Sequence, residues 1–186
     1  FNDTRLSKVN ITTVGQPVGM FYGYQIDGIY QNEQDVISSG VLPYGVATEN
    51  DLVASAWVGR YKMKDVNNDG KTDADDRTII GNPHPDLTGG FNISLTWRDF
   101  DLSTYMYYSI GNDLYKHYEY YTMFGNLQSN YSKDRLAKSW DPVNNPNGIY
   151  PLWTTTSTEG PEAGNESNSN YVQDGSYLRM QTLTLG

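Results

Sequence analysis

The stretch Gly89-Gly90-Phe91-Asn92-Ile93-Ser94-Leu95-Thr96-Trp97-Arg98-Asp99-Phe100-Asp101-Leu102-Ser103-Thr104-Tyr105-Met106-Tyr107-Tyr108-Ser109 reads as two strands folded about a two-residue turn. With Arg98-Asp99 as the turn, Trp97 lies opposite Phe100 and every further pair follows by counting outward. Leu95 then faces Leu102, Ile93 faces Thr104 and Phe91 faces Met106, while Thr96-Asp101, Ser94-Ser103 and Asn92-Tyr105 share the other side. One face is apolar and the other polar, at the period of a strand. Arg98-Asp99 lacks the Gly or Asn of a type I′ turn, and a turn displaced by one residue would exchange the two faces.

Upstream, Met20 to Tyr30 alternates Met20, Tyr22, Tyr24 and Ile26 against Phe21, Gly23, Gln25 and Asp27, which predicts one strand. Residues 31–86 show strand pattern only around Gly59 to Lys64, with room for a short helix at Gln31 to Ser38, and read as one elaborate loop. Downstream, 111–176 is a second long loop, polar and aromatic. It holds a helical pattern near Asp134 to Trp140, then the breakers Asp141-Pro142 and Asn145-Pro146, and a Gly/Ser/Asn-rich stretch from Glu159 to Asn170 expected to be mobile. Strand pattern resumes at Tyr177, with Leu178 and Met180 out of phase with Leu183 and Leu185, as a bulge or a strand covered on both faces requires. The fold class is all-β and antiparallel. A short turn at one end and long loops at the other suit a transmembrane barrel or a sandwich whose core is the apolar face; alternation alone does not choose between lipid and protein as the cover.

The chain of 186 residues carries a net charge of −9, which argues against nucleic acid as a partner. Its 16 tyrosines are too many aromatic groups for a disordered chain. No run approaches the apolar length of a membrane-spanning helix, but barrel strands escape that test. The absence of cysteine excludes disulfides and thiolate metal sites. Phe1 to Arg5 lacks signal-peptide anatomy and Tyr177 to Gly186 reads as a strand in progress, so a segment of a longer protein is expected.

One motif carries chemistry. Asp65-Val66-Asn67-Asn68-Asp69-Gly70-Lys71-Thr72-Asp73-Ala74-Asp75-Asp76 matches the twelve-position calcium loop. A hard cation needs six or more oxygens about one point. Side chains at positions 1, 3 and 5 (Asp65, Asn67, Asp69), the Lys71 carbonyl at 7, Asp73 at 9 and Asp76 at 12 supply them, and Gly70 permits the sharp turn. Position 12 is Asp rather than Glu, and Arg60 to Lys64 enters as a strand rather than a helix, so the loop resembles a dockerin-like site with a structural ion more than a paired sensor. An Asp/Asn-rich surface turn is the plain alternative.

Nothing in the sequence supports catalysis. His84 and His117 lack metal-ligand companions, and Gly89-Gly90 opens no phosphate loop. The aromatic residues Tyr118, Tyr120, Tyr121, Trp140 and Trp153 are candidate ligand-stacking groups, with packing inside a large loop as the commoner fate.

Several ordered blocks together resemble the C-terminal barrel region of the SusC/RagA family of TonB-dependent outer-membrane transporters. They are Gly19-Met20-Phe21-Tyr22-Gly23-Tyr24, Asp27-Gly28-Ile29-Tyr30-Gln31, Tyr61-Lys62 leading into Asp65 to Gly70, Asp76-Arg77-Thr78-Ile79-Ile80-Gly81-Asn82-Pro83, Gly90-Phe91-Asn92, Phe100-Asp101-Leu102, Gly111-Asn112-Asp113 and Asp174-Gly175-Ser176-Tyr177-Leu178-Arg179. The resemblance implies that residues 1–186 belong to a 22-stranded transmembrane β-barrel of a Gram-negative outer membrane, with 31–86 as a calcium-binding outer loop and 111–176 as a long aromatic outer loop. It further implies import of glycans or peptides under a SusD-like lipoprotein lid, energised by the TonB complex through an N-terminal plug that these residues do not include. In that setting Phe91, Ile93, Leu95, Trp97, Phe100, Leu102 and Met106 face the lipid bilayer, Trp97 and Phe100 sit at the periplasmic girdle, and the polar face lines the lumen. The competing reading is a secreted, calcium-stabilised carbohydrate-binding β-domain.

Overall fold

The computed structural model describes residues 4–5, 9–124, 131–153, 161–164 and 166–186. Along them run the strands β1 (Thr4–Arg5), β2 (Asn10–Thr12), β3 (Met20–Gly23), β4 (Ile26–Ile29), β5 (Tyr61–Met63), β6 (Thr78–Gly81), β7 (Leu87–Trp97), β8 (Phe100–Ile110), β9 (Asp113–Tyr115), β10 (Val172–Asp174) and β11 (Tyr177–Leu185). They form antiparallel sheets ordered β11-β8-β7, β1-β2-β3-β6, β4-β5 and β10-β9. None of these sheets is closed into a barrel.

The β7–β8 register is the one obtained by counting from the turn: Trp97 pairs with Phe100, Leu95 with Leu102, Ile93 with Thr104 and Phe91 with Met106. Arg98 meets the demand of the turn by adopting φ +53 itself, a left-handed conformation that Gly or Asn usually supplies in a two-residue hairpin turn. Its guanidinium lies 5.0 Å from the Trp97 ring centre. On β11 the pairing steps from Met180–Met106 to Thr182–Tyr105, so Gln181 is an extra residue. That bulge brings Leu178 and Met180 onto the same face as Leu183 and Leu185. The result is one apolar surface across three strands, uncovered by any described residue: Trp97 is 66% exposed, Leu95 60% and Leu185 74%.

The core lies elsewhere. Leu87 pairs with Ile110 and Tyr177 with Ser109, so both long loops leave the three-stranded sheet at the end opposite the turn. There they interlock into one body around Tyr24, Tyr30, Val36, Tyr61, Trp140, Tyr150 and Tyr171, all buried. Trp140 donates its indole N–H to the Gln31 side chain at 2.8 Å, the Leu152 N–H reaches the Gly59 carbonyl at 2.7 Å, and Arg77 pairs with Glu166. Gly59, at φ +80, is required where it stands, because a Cβ would lie 2.7 Å from the Trp140 ring.

Two expectations are corrected. Met20 to Tyr30 is two strands in different sheets, because Ser167 and Ser169 of the second loop bond the Tyr24 backbone between them, at 2.9 Å each, and Ser167 closes against Gly23. Consequently Met20 and Phe21 are both buried, and the simple two-face alternation fails there. In the long loops the strand pattern at Gly59 to Lys64 is β5, the short helix of the first runs Glu33–Ser38 and that of the second Lys133–Lys138, capped by Ser132, while β6, β9 and β10 are strands that the sequence pattern does not show. Of the stretch expected to be mobile, 159, 160 and 165 lie outside the described residues. Pro161–Ala163 and Ser169–Tyr171 form helical turns, and Asn168 is buried.

The loop body rests on buried phenols. Burial pushes the Tyr24 and Tyr150 hydroxyls up to about 12 and raises those of Tyr30, Tyr61, Tyr115 and Tyr171. Unfolded tyrosines ionise near ~10, so the unfolded chain loses these protons first. Stability is full below pH ~10 and is lost as pH rises through about 12. Tyrosinate absorbance should therefore appear in two phases, the second coinciding with loss of near-ultraviolet circular dichroism; a single phase near pH ~10 with the fold retained contradicts this.

Candidate functional site

The acidic loop turns at Asn68 (φ +61) and Gly70 (φ +86), where the twelve-position pattern places its bend. Within it, backbone N–H groups engage the side chains. Asp65 accepts from Asn68, Asp69 and Gly70, Asn67 from Asp69, Asp69 from Lys71, and Asp73 from Asp75. Asp76, fully buried, accepts from Val66 at 2.9 Å and Asp73 at 2.8 Å and ties the two ends together. The Lys71 ammonium stands 2.5 Å from Asp73 and 3.7 Å from Asp69; that pairing holds the Asp73 carboxyl below its usual range and raises Lys71. Among the described residues no three His, Cys, Asp or Glu side chains are grouped as a metal would require. The donors are hard oxygens that suit calcium, but they are drawn together by Lys71 and backbone N–H groups rather than about a common centre.

The aromatic candidates separate. Trp140 is 3% exposed and packs the two loops together, so its role is structural. Tyr118 is 63% exposed; Tyr121 is exposed too and stacks on His117 with ring centres 5.5 Å apart, while Tyr120 is half-buried edge-on to Tyr121. Trp153 is exposed beside Arg135, which also covers Tyr131 at 4.1 Å. The structure thus brings Tyr118, Tyr120 and Tyr121 onto one short helical segment, with Trp153 in a separate cluster and Trp140 inside.

No family model matches the chain. It is 31% identical, over 182 residues and 96% of its length, to TonB-dependent receptor P3 of Formosa agariphila, and 30% identical, over 183 residues and 92% of its length, to TonB-dependent receptor P26 of the same organism. Solved chains of the RagAB peptide importer in its open-open state and of the RagAB peptide transporter match 100% of it, with TM-scores of 0.60 and 0.61 at 20% identity. The chain belongs to the TonB-dependent receptors. It spans 16% of the length of each of the two Formosa receptors, and 17% and 18% of the two solved chains.

The relatives of this TonB-dependent receptor chain are described as receptors and as a peptide importer. Among the described residues no helix is long and apolar enough to cross a membrane, a test that does not bear on membrane-spanning strands. One feature escaped sequence reading: Asp27-Gly28 sits on a bulge of β4, where Gly28 takes φ +147. Its signal was an Asp-Gly pair inside a strand pattern.

Asp76 matters whether or not a cation binds. Asp76→Ala removes the buried carboxylate that accepts from the Val66 and Asp73 N–H groups, hydrogen bonds to a charged group worth about 1.5–3 kcal/mol. In the full-length receptor it should accelerate proteolysis within residues 65–76 without altering barrel content. Unchanged cleavage would show that the loop is held by other means.

Proposed function

We propose that the chain forms part of the barrel wall and outer surface of an outer-membrane importer driven by TonB, taking up oligosaccharides or peptides beneath a SusD-like lipoprotein. The observation that carries this reading is the continuous apolar face of β7, β8 and β11. These strands are 11, 11 and 9 residues long, and about 9–11 residues suffice to span a bilayer. Such a face in water is an aggregation hazard; against hydrocarbon it is the favoured arrangement. The opposite face, with Asn92, Ser94, Thr96, Asp101, Ser103, Tyr105 and Arg179, suits a wet lumen. The Arg98-Asp99 turn with Trp97 and Phe100 fits the periplasmic girdle, which puts the body built from 31–86 and 111–176 outside the cell, where a lid would meet it.

The two faces make different demands on a charge. Ile93→Arg, near the middle of β7, should lower barrel stability by about 2–4 kcal/mol, whereas Ser94→Arg on the lumenal side should be tolerated. Urea midpoints of the full-length receptor in liposomes, with heat-modifiable gel mobility, read the difference. Equal effects of both substitutions would defeat the assignment of faces.

For the acidic loop we propose a structural calcium ion held by Asp65, Asn67, Asp69, Asp73 and Asp76 with the Lys71 carbonyl. Support comes from the oxygen donors at alternate positions and the left-handed turn at Gly70. Carboxylate oxygens that accept one N–H retain a second lone pair for a cation, and Lys71 must then release Asp69 and Asp73. Sites in extracellular modules bind at roughly 10⁻⁴–10⁻³ M, so millimolar calcium should protect residues 59–86 from protease, with the effect reversed by chelator and absent in Asp69→Ala. Indifference to both calcium and chelator would reduce the motif to an acidic turn.

A further inference from the structure

On β4 the ladder steps from Ile26–Met63 to Gly28–Lys62, which leaves Asp27 as the extra residue of a bulge. Bulges re-aim side chains and end pairing locally. Here the bulge borders an open groove of about 660 Å³ between β4 and the second loop, with Asp27, Ile29, Asn147, Ile149 and Asn170 in its lining. Asp27 is exposed, and among the described residues its carboxylate has no hydrogen-bond or ion-pair partner. The groove lining contains no Lys, Arg or His. The basic residue across the ladder, Lys62, is engaged elsewhere, 3.6 Å from Asp35 and over the Tyr30 ring. The groove thus combines an unanswered negative charge, aliphatic walls at Ile29 and Ile149, and three amide side chains, of which Gln31 is already bonded to Trp140 and the Ile29 carbonyl. Its aromatic member, Tyr61, is buried and offers no face on which a sugar ring could stack.

We propose that this groove takes the basic side chain of a peptide, Lys or Arg. The inference rests on the importer reading above and narrows its substrate to the peptide class. The aliphatic stem of such a side chain lies along apolar surface while its head stays polar, which matches Ile29 and Ile149 beside Asp27. Amide oxygens of Asn147 and Asn170 are available for the remaining N–H donors.

The test is calorimetric titration of the purified full-length receptor with three blocked pentapeptides, Ala-Ala-Xaa-Ala-Ala, where the central residue is Arg, Gln or Glu. The Arg peptide should bind roughly tenfold more tightly than the Gln peptide, as a charge-assisted contact implies. Asp27→Asn should erase that difference and leave the Gln peptide unaffected, and Asp27→Lys should turn the preference toward Glu. Peptide binding without charge preference, or a preference that survives in Asp27→Asn, overturns the groove assignment while import of peptides stands. Failure of all three peptides to bind overturns the assignment together with the peptide branch of the importer reading.

Discussion

Every outward property of the three long strands depends on the pleat of β7 and β8. Because side chains alternate with period two, the turn at Arg98-Asp99 decides at once which residues join the apolar face and which the polar one. The turn lies where it must although neither residue is the customary Gly or Asn. Arg98 accepts a left-handed conformation, with its guanidinium over Trp97. On β11 the same parity would have split Leu178 and Met180 from Leu183 and Leu185, and the extra Gln181 prevents it. A single residue inserted in one strand thereby preserves an apolar face across three.

At the other end the physics is that of a soluble protein. Residues from two loops far apart in sequence share one core, rich in buried tyrosine, whose hydroxyl groups need partners in the same interior. Tyr171 donates to the Gly164 carbonyl and Tyr61 to the Ile149 carbonyl. The body is also fastened to the strand ends: the Asn82 N–H donates to the Asp113 carboxylate at 2.8 Å, and the Asp113 N–H to the Asn82 carbonyl at 2.7 Å. These bonds join the first loop to the second directly beside the Leu87–Ile110 pair, so the body continues the sheet rather than hanging from it.

The excess of negative charge is managed locally rather than spread evenly. In the acidic loop most carboxylate oxygens meet backbone N–H groups, and Lys71 bridges the two nearest the rim. Asp35 has Lys62, Asp134 has Lys138 and Glu119 has Lys116. Asp27, like Glu33, Glu49, Asp75, Asp99 and Asp101, has no such partner among the described residues, but it alone of these sits on the β4 bulge and lines the groove. That position, rather than the lack of a partner, is what sets it apart.

Local periodicity determined the hairpin, its register, its two faces and the need for a bulge near Met180, since strand parity is a property of neighbouring residues alone. The acidic motif and the ordered family blocks were legible for the same reason: each lies within a short span of chain. Contacts between distant segments were not. The breaking of Met20 to Tyr30 into β3 and β4 follows from Ser167 and Ser169 bonding Tyr24. The burial of Trp140 follows from Gly59 and Gln31 in the other loop, and the exposure of Asp27 from pairing with β5. In each case the deciding partner lies dozens of residues away, and only the tertiary structure brings it within hydrogen-bonding or van der Waals reach.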